Sequence, residues 1–177
     1  MACVDLRGRD CLVVGGGRVA TEKAQGLLDC NAHVTVVAPQ VDDELRRLPV
    51  HVVPRAFEPA DADGRFLVIA ATNDRAVNVV VSAAATGLCN VADDPELCNF
   101  ILPAVHRQGS IAVAVSTGGA SPALAKRLRS QIAELVQPEH AELAEELRAL
   151  RPEVQARFET YEERRDYFEE LVTERLS

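Results

Sequence analysis

Long apolar runs are missing from this 177-residue chain: no segment approaches the roughly 20 residues needed to cross a bilayer. The residues after Met1 lack the charged-then-apolar order of a secretory leader. These absences lead to the expectation of a soluble, cytoplasmic protein with no membrane partner. The five cysteines, Cys3, Cys11, Cys30, Cys89 and Cys98, include no C-x-x-C pair and are odd in number. Zinc-site spacing and a disulfide framework are both absent, so reduced thiols and no bound metal are expected. Excess positive charge is lacking too. The formal net charge is −8, which argues against nucleic acid as a partner. Most of that acidity is terminal: residues 139–177 hold twelve acids against six arginines, a net of −6, leaving −2 for residues 1–138. A charge run of this kind is ordinarily a solvated helix face. There is no internal repeat and no low-complexity segment.

What is present is 47% hydrophobic and 26% charged, the composition of a globular chain that can bury a core. "RDCLVVGGGRVATEKAQGLLDC" reads as a strand, a glycine turn and a helix. Cys11 to Val14 form a short apolar run suited to a buried parallel strand. Ala20, Ala24, Leu27 and Leu28 then recur at helical spacing, giving an apolar face to lay on a sheet. Between them, Gly15 to Ala20 fit G-x-G-x-x-A. In that motif Gly15 permits a tight turn, Gly17 admits a pyrophosphate to the backbone, and Ala20 allows close helix–strand packing. "HVTVVAP", from His33 to Pro39, supplies a second strand at βαβ spacing, so dinucleotide binding outweighs a merely structural glycine turn.

An acid is missing where such sites usually carry one. The second strand ends in Val37-Ala38-Pro39-Gln40, so backbone groups near Pro39 and Gln40 are expected to hold the adenine ribose. Arg18 could instead favour a 2′-phosphate, which leaves NAD and NADP both open at this point.

The α/β pattern continues. "VHVVPRAF" is a third strand candidate, and the wholly apolar "FLVIAATND" is a central fourth. It ends in Thr72-Asn73-Asp74, at the carboxyl edge where ligands bind in such sheets, and Thr72 joins the cofactor candidates. A helix through Val77, Val80, Val81 and Ala84 leads to a fifth strand, "LCNVADD". The segment "NVADDPE" suits a turn, because Asp bonds its own backbone and Pro fixes φ. It also places Asp93 just past a strand's carboxyl end, on the cofactor side of a doubly wound sheet. A turn and a catalytic carboxylate are both open readings of the residues alone.

Beyond residue 100, "FILPAV" and "SIAVAVST" look like two more strands, joined by a turn at His106 to Gly109. "STGGASPALAKRLRSQIAELV" then repeats the strand–glycine–helix design, with Ser121 as N-cap and Pro122 as first helical residue. Leu124, Leu128, Ile132 and Leu135 form its expected buried stripe. Free N–H groups at Gly118, Gly119 and the helix start, with Lys126 and Arg129 nearby, would suit an anionic substrate. An ordinary capped helix is the competing reading. Two further helices are expected beyond Pro138. Leu143, Leu147 and Leu150 mark one; Val154, Phe158, Tyr161, Phe168 and Val172 mark the other, with Pro152 as its start. Narrow apolar stripes of this kind pack helix on helix, within the chain or across a dimer.

These stretches together resemble the precorrin-2 dehydrogenase / sirohydrochlorin ferrochelatase family of sirohaem biosynthesis. The similarity is carried by "VVGGGRVATEKAQGLL", "VTVVAP", "FLVIAATND", "NVADDPELCNFILPA" and "VAVSTGGASPALAKRLR", five motifs in order across residues 10–130. It implies a Rossmann-like parallel sheet over residues 1–100 that binds NAD, an α+β dimerisation and substrate region over 101–137, and a C-terminal helical domain over 138–177. It also implies a homodimer and NAD-dependent oxidation of precorrin-2 to sirohydrochlorin. The cofactor loop maps onto Gly15, Gly17, Arg18 and Val19, the second-strand edge onto Pro39 and Gln40, and the catalytic aspartate onto Asp93. Asp94 is the weaker candidate because it directly precedes Pro95. Thr117 falls where some members carry serine. The tetrapyrrole substrate carries eight carboxylates, which turns attention to Arg107, Lys126, Arg127 and Arg129 and to the Thr117-Gly118-Gly119 and Ser121 turn. Iron insertion into sirohydrochlorin is the alternative activity, and a non-catalytic NAD-binding module is a more distant one. The methyltransferase domain found in fused members is longer than this chain can hold.

Overall fold

The computed structural model describes residues 3–176. The chain divides into two compact units, the first ending at Leu102 and the second beginning at Pro103.

The first unit is built on a five-stranded parallel sheet in the order β3-β2-β1-β4-β5. Its strands are β1 (Asp10–Val14), β2 (His33–Val37), β3 (His51–Val53), β4 (Leu67–Ala70) and β5 (Leu88–Val91). β1 lies in register between β2 and β4, with Val13 opposite both Val36 and Ile69. A strand covered on both faces must be apolar throughout, and Cys11 to Val14 are all buried. Helix α1 (Arg18–Leu28) buries Ala20, Ala24 and Leu27 into the cluster formed by Cys11, Val13, Val34 and Val36. Each of the larger of these apolar side chains contributes about 1.5–3 kcal/mol on burial. On the opposite face, Leu12, Val14, Val68 and Val91 pack with Val81 of α3 (Arg75–Ala84). A short helix, α2 (Asp43–Arg46), lies between β2 and β3.

Two details differ from expectation. The third strand is only three residues long, because Pro54 has no N–H to continue the ladder to β2. In α3 the buried positions are Asn78 and Val81, whereas Val80 turns outward. Asn78 is buried because it is bonded: its Nδ2 donates to the Thr72 carbonyl at 3.1 Å.

The second unit pairs β6 (Ala104–Gln108) antiparallel to β7 (Ile111–Val115), followed by α4 (Pro122–Leu135), α5 (Pro138–Arg157) and α6 (Tyr161–Arg175). The first of these strands starts later than "FILPAV" suggested, because Pro103 lacks a ladder donor. Gln108 pairs with Ile111, which closes the hairpin at Gly109-Ser110, with Gly109 at φ +56°. His106 therefore lies in β6 rather than in the turn.

The apolar stripe of α4 is also not the buried one. Leu124, Leu128 and Leu135 are 51, 38 and 72% exposed, and the small Ala125 is the helix's buried residue. Pro152 does not start a helix; α5 runs through it. The break comes at Phe158 to Thr160, where the Thr160 hydroxyl accepts from the Glu163 N–H and the Glu163 carboxylate accepts from the Thr160 N–H. That reciprocal cap stops one helix and starts the next more effectively than a proline on an exposed helix face.

Candidate functional site

The glycine loop follows directly from β1. Gly15 takes φ +125°, a conformation that L side chains rarely adopt, and its N–H donates to the Val37 carbonyl at 3.0 Å. At Gly16 the constraint is contact: a Cβ there would run into the carbonyl oxygen of Gln40. Gly16 also accepts from the Asp42 N–H at 2.8 Å, so the loop after β2 is bonded to the glycine loop. Gly17 is the N-cap of α1 and supplies no side-chain acceptor, and the first turn contains no acid. The N–H groups at the start of α1 are thereby left for an anion, where the helix dipole favours one.

A cleft of about 620 Å³ opens at this loop. Gly15, Gly17, Arg18, Val19, Pro39, Gln40 and Thr72, the cofactor candidates drawn from the sequence, all line it. The chain passes from β1 outward through β2 and β3, then returns to β4 on the other side, so the cleft sits at the topological switch point. Sequence reasoning did not assign Phe57 and Val77, which give the cleft apolar wall, or Asp74, which closes its far side. Asp74 carried a legible signal as an N-cap: its Oδ1 accepts from the Ala76 N–H at 2.9 Å. The Thr72 hydroxyl is engaged within the protein, donating to Asn78 Oδ1 at 2.7 Å and accepting from the Asp74 N–H at 3.2 Å. Thr72 thus shapes the β4–α3 loop. Arg18 projects outward and pairs with Glu22 one turn along α1, at 2.5 Å.

The two acids after β5 have different surroundings. Asp94 is mostly buried at its side chain and accepts from Arg75 Nε at 3.0 Å. Arg75 begins α3 immediately after the cleft-lining Asp74, so this ion pair ties the cofactor-side loop to the β5 turn. Asp93 is exposed, holds φ +62°, and makes no side-chain hydrogen bond or ion pair among the described residues. Asp is one of the few side chains that tolerate this left-handed conformation. Asp93 is not among the residues lining the 620 Å³ cleft; it stands on the adjoining turn at the same sheet edge. Cys98 clips that turn together: its Sγ accepts from the Val91 N–H at 3.1 Å and lies 3.4 Å from the Asp94 carbonyl.

In the second unit, Thr117 and Ser121 close the glycine turn on itself. The Thr117 hydroxyl accepts from the Ser121 N–H at 3.0 Å and donates to the Ser121 carbonyl at 3.1 Å. Gly118 and Gly119 have φ of +61° and +87°. The Gly118 N–H is not free, as expected from sequence, but donates to the Ser116 hydroxyl at 3.2 Å. Ser121 caps α4 by accepting from the Leu124 N–H. Lys126 is exposed on α4, and Arg129 is half-buried beside Ser130. The five cysteines form no disulfide among the described residues. Burial pushes the Cys11 thiol up to about 11, which makes it core rather than nucleophile. Among the described residues no group of three His, Cys, Asp or Glu side chains is placed to hold a metal. None of the described helices is long and apolar enough to cross a membrane.

A parallel sheet with a glycine loop, an uncapped helix start and a cleft at the switch point defines a dinucleotide-binding protein of the doubly wound class. The comparisons agree. A "Putative NAD(P)-binding" family model matches residues 2–104, "Sirohaem biosynthesis protein central" matches 108–135, and "Sirohaem synthase dimerisation region" matches 139–177. The siroheme synthase of Thioalkalivibrio sulfidiphilus is 45% identical over 174 residues, covering 94% of this chain and 36% of the relative. That of Nitrosomonas europaea is 42% identical over 177 residues, covering 96% of this chain and 37% of the relative. The chain thus spans a little over a third of the length of these curated relatives. A solved structure titled SirC, precorrin-2 dehydrogenase, superposes with a TM-score of 0.84 at 31% identity, covering 100% of this chain and 92% of that one. The chain belongs to the sirohaem-biosynthesis family of NAD(P)-binding proteins that includes this precorrin-2 dehydrogenase.

Proposed function

We propose that this protein catalyses the NAD-dependent dehydrogenation of precorrin-2 to sirohydrochlorin, as a homodimer in the cytoplasm. The observation that carries the reading is the arrangement of the first unit. A nucleotide cleft at the switch point is joined, through the Arg75–Asp94 ion pair, to a turn that presents the unpaired carboxylate of Asp93.

The cleft fits the cofactor on the molecule's own terms. Its volume lies in the usual range for a bound small molecule, its phosphate end has unclaimed N–H groups, and its walls are largely apolar. Gly15, Gly17, Arg18 and Val19 would hold the pyrophosphate, Pro39 and Gln40 the adenine ribose, and the Thr72 loop the far side. When bound, NAD supplies the acceptor for a hydride from the substrate. Dehydrogenation also releases a proton, and Asp93 is the group assigned to take it. Because Asp93 is exposed and its carboxylate is bonded to no other described side chain, it can pass the proton on to water. Asp94, already bonded to Arg75, anchors the turn instead.

The same proposal gives Thr117, Gly118, Gly119, Ser121, Lys126 and Arg129 to the substrate's carboxylates. A chain with net charge −8 must concentrate its cations to bind a polyanion. The loop's internal hydrogen bonds leave Thr117 and Ser121 to shape that turn, with Lys126 as its exposed cation. We divide the second unit into a dimerisation and substrate region over 101–137 and a helical region over 138–177; the match of a dimerisation-region model to 139–177 supports a part for the helical region in the same contact. The exposed leucines of α4 supply the apolar face that a second copy covers.

The test is an anaerobic assay of the purified chain with precorrin-2 and NAD. Sirohydrochlorin and NADH should form in equal amounts, and absence of conversion would contradict the proposal. Ferrous iron added to sirohydrochlorin, with and without protein, then tests the additional chelatase activity, in which Asp93 would accept a pyrrole proton.

A further inference from the structure

Strand β2 ends without the acid that usually contacts the ribose hydroxyls, and two carboxylates just outside the cleft lining flank the glycine loop instead: Glu22, on Arg18, and the exposed Asp42, near Gly17. We infer that Glu22 and Asp42 are specificity-determining residues that set the preference for NAD over NADP, by denying a 2′-phosphate both its cation and its space. The inference deepens the cofactor part of the proposed function and rests on it.

Among the described residues Arg18 is the one cation in the cleft wall, and so the group available to receive a 2′-phosphate. Its NH1 is held by Glu22 Oε1 at 2.5 Å, an i,i+4 pair on the first turns of α1. A phosphate would have to compete with that carboxylate.

Asp42 acts from the other side. It is the N-cap of α2, a position where an aspartate ordinarily accepts a hydrogen bond from the helix start. Here it makes no such bond, and its side chain has no partner among the described residues. Its backbone is fixed, because its N–H donates to the Gly16 carbonyl and the Gln40 carbonyl packs against Gly16. Thus held, Oδ2 lies 4.0 Å from the position that a Cβ on Gly17 would take. A carboxylate that caps nothing stands over the phosphate loop. Asp43 and Glu44 follow it in the first turn of α2, and Arg46 is turned away to the Val41 carbonyl at 3.1 Å. A ribose hydroxyl can donate to a carboxylate, whereas a 2′-phosphate brings about two further negative charges and no donor.

The test is direct titration of NADH and NADPH against the full chain by calorimetry, independent of turnover. The variants are Glu22→Gln, Asp42→Asn, the double variant, and Asp42→Glu, which keeps the charge. The wild type should bind NADH the more tightly. Glu22→Gln and Asp42→Asn should each tighten NADPH by about tenfold while leaving NADH unchanged, the double variant should exceed either, and Asp42→Glu should resemble the wild type. Equal affinity of the wild type for both nucleotides, or an unchanged ratio in the double variant, would overturn the inference. Failure of the wild type to bind either nucleotide would overturn the cofactor reading beneath it, a result distinct from binding with an unaltered ratio.

Discussion

In the first unit Leu12, Val13 and Val36 are sealed between two layers of helix, and both large apolar clusters lie within residues 6–100. Among the described residues of the second unit, β6 and β7 pair only with each other, and Ala125, Leu143 and Val154 are the buried apolar side chains. Leu124, Leu128 and Leu135 of α4 stay exposed. The contrast shows two ways for an amphipathic pattern to be satisfied. A βαβ unit carries its own partner surface, because each helix returns onto the sheet that launched it. A hairpin with three charged helices leaves apolar surface exposed, and in the homodimer we propose a second copy covers it. The stability of the first unit should therefore belong to the chain, and that of the second to the assembly.

Two substitutions would break that comparison if it is wrong. The larger effect is expected from Gly16→Ala in the first unit. The added Cβ meets the Gln40 carbonyl, so the glycine loop or the loop after β2 must move. A loss of about 3 kcal/mol is expected, together with loss of nucleotide binding. Thermal unfolding should show the same loss at every protein concentration. The smaller effect is expected from Leu128→Asp on α4. It should leave NADH binding intact, shift sedimentation toward the monomer, and make the melting temperature depend on concentration. An unaltered dimer would show that the α4 stripe is not the covered face.

Much of the cofactor cleft was legible in the sequence because it is local. Gly15, Gly17, Arg18 and Val19 are contiguous, and Pro39, Gln40 and Thr72 follow from knowing that ligands sit at strand ends. The contribution of Phe57 was not legible, since it depends on how a loop folds back over the cleft. In α4 the leucine period correctly signalled an amphipathic helix. Periodicity cannot say what the apolar face packs against, and here the hairpin took the side with Ala125. Pro152 misled for a related reason: the loss of one donor on an exposed face of a 20-residue helix was tolerated, while the Thr160 cap decided where the chain turned. Asp93 and Asp94 are equivalent as letters. Only the Arg75 ion pair and the left-handed backbone separate anchor from free carboxylate.

The role of Asp93 is tested most directly by Asp93→Asn, which keeps the side chain's shape and its tolerance of positive φ while removing the base. Nucleotide affinity and sirohydrochlorin formation should be measured on the same preparation beside the wild type. The account predicts wild-type NADH binding with turnover lowered at least about a hundredfold. Wild-type turnover by Asp93→Asn would contradict it.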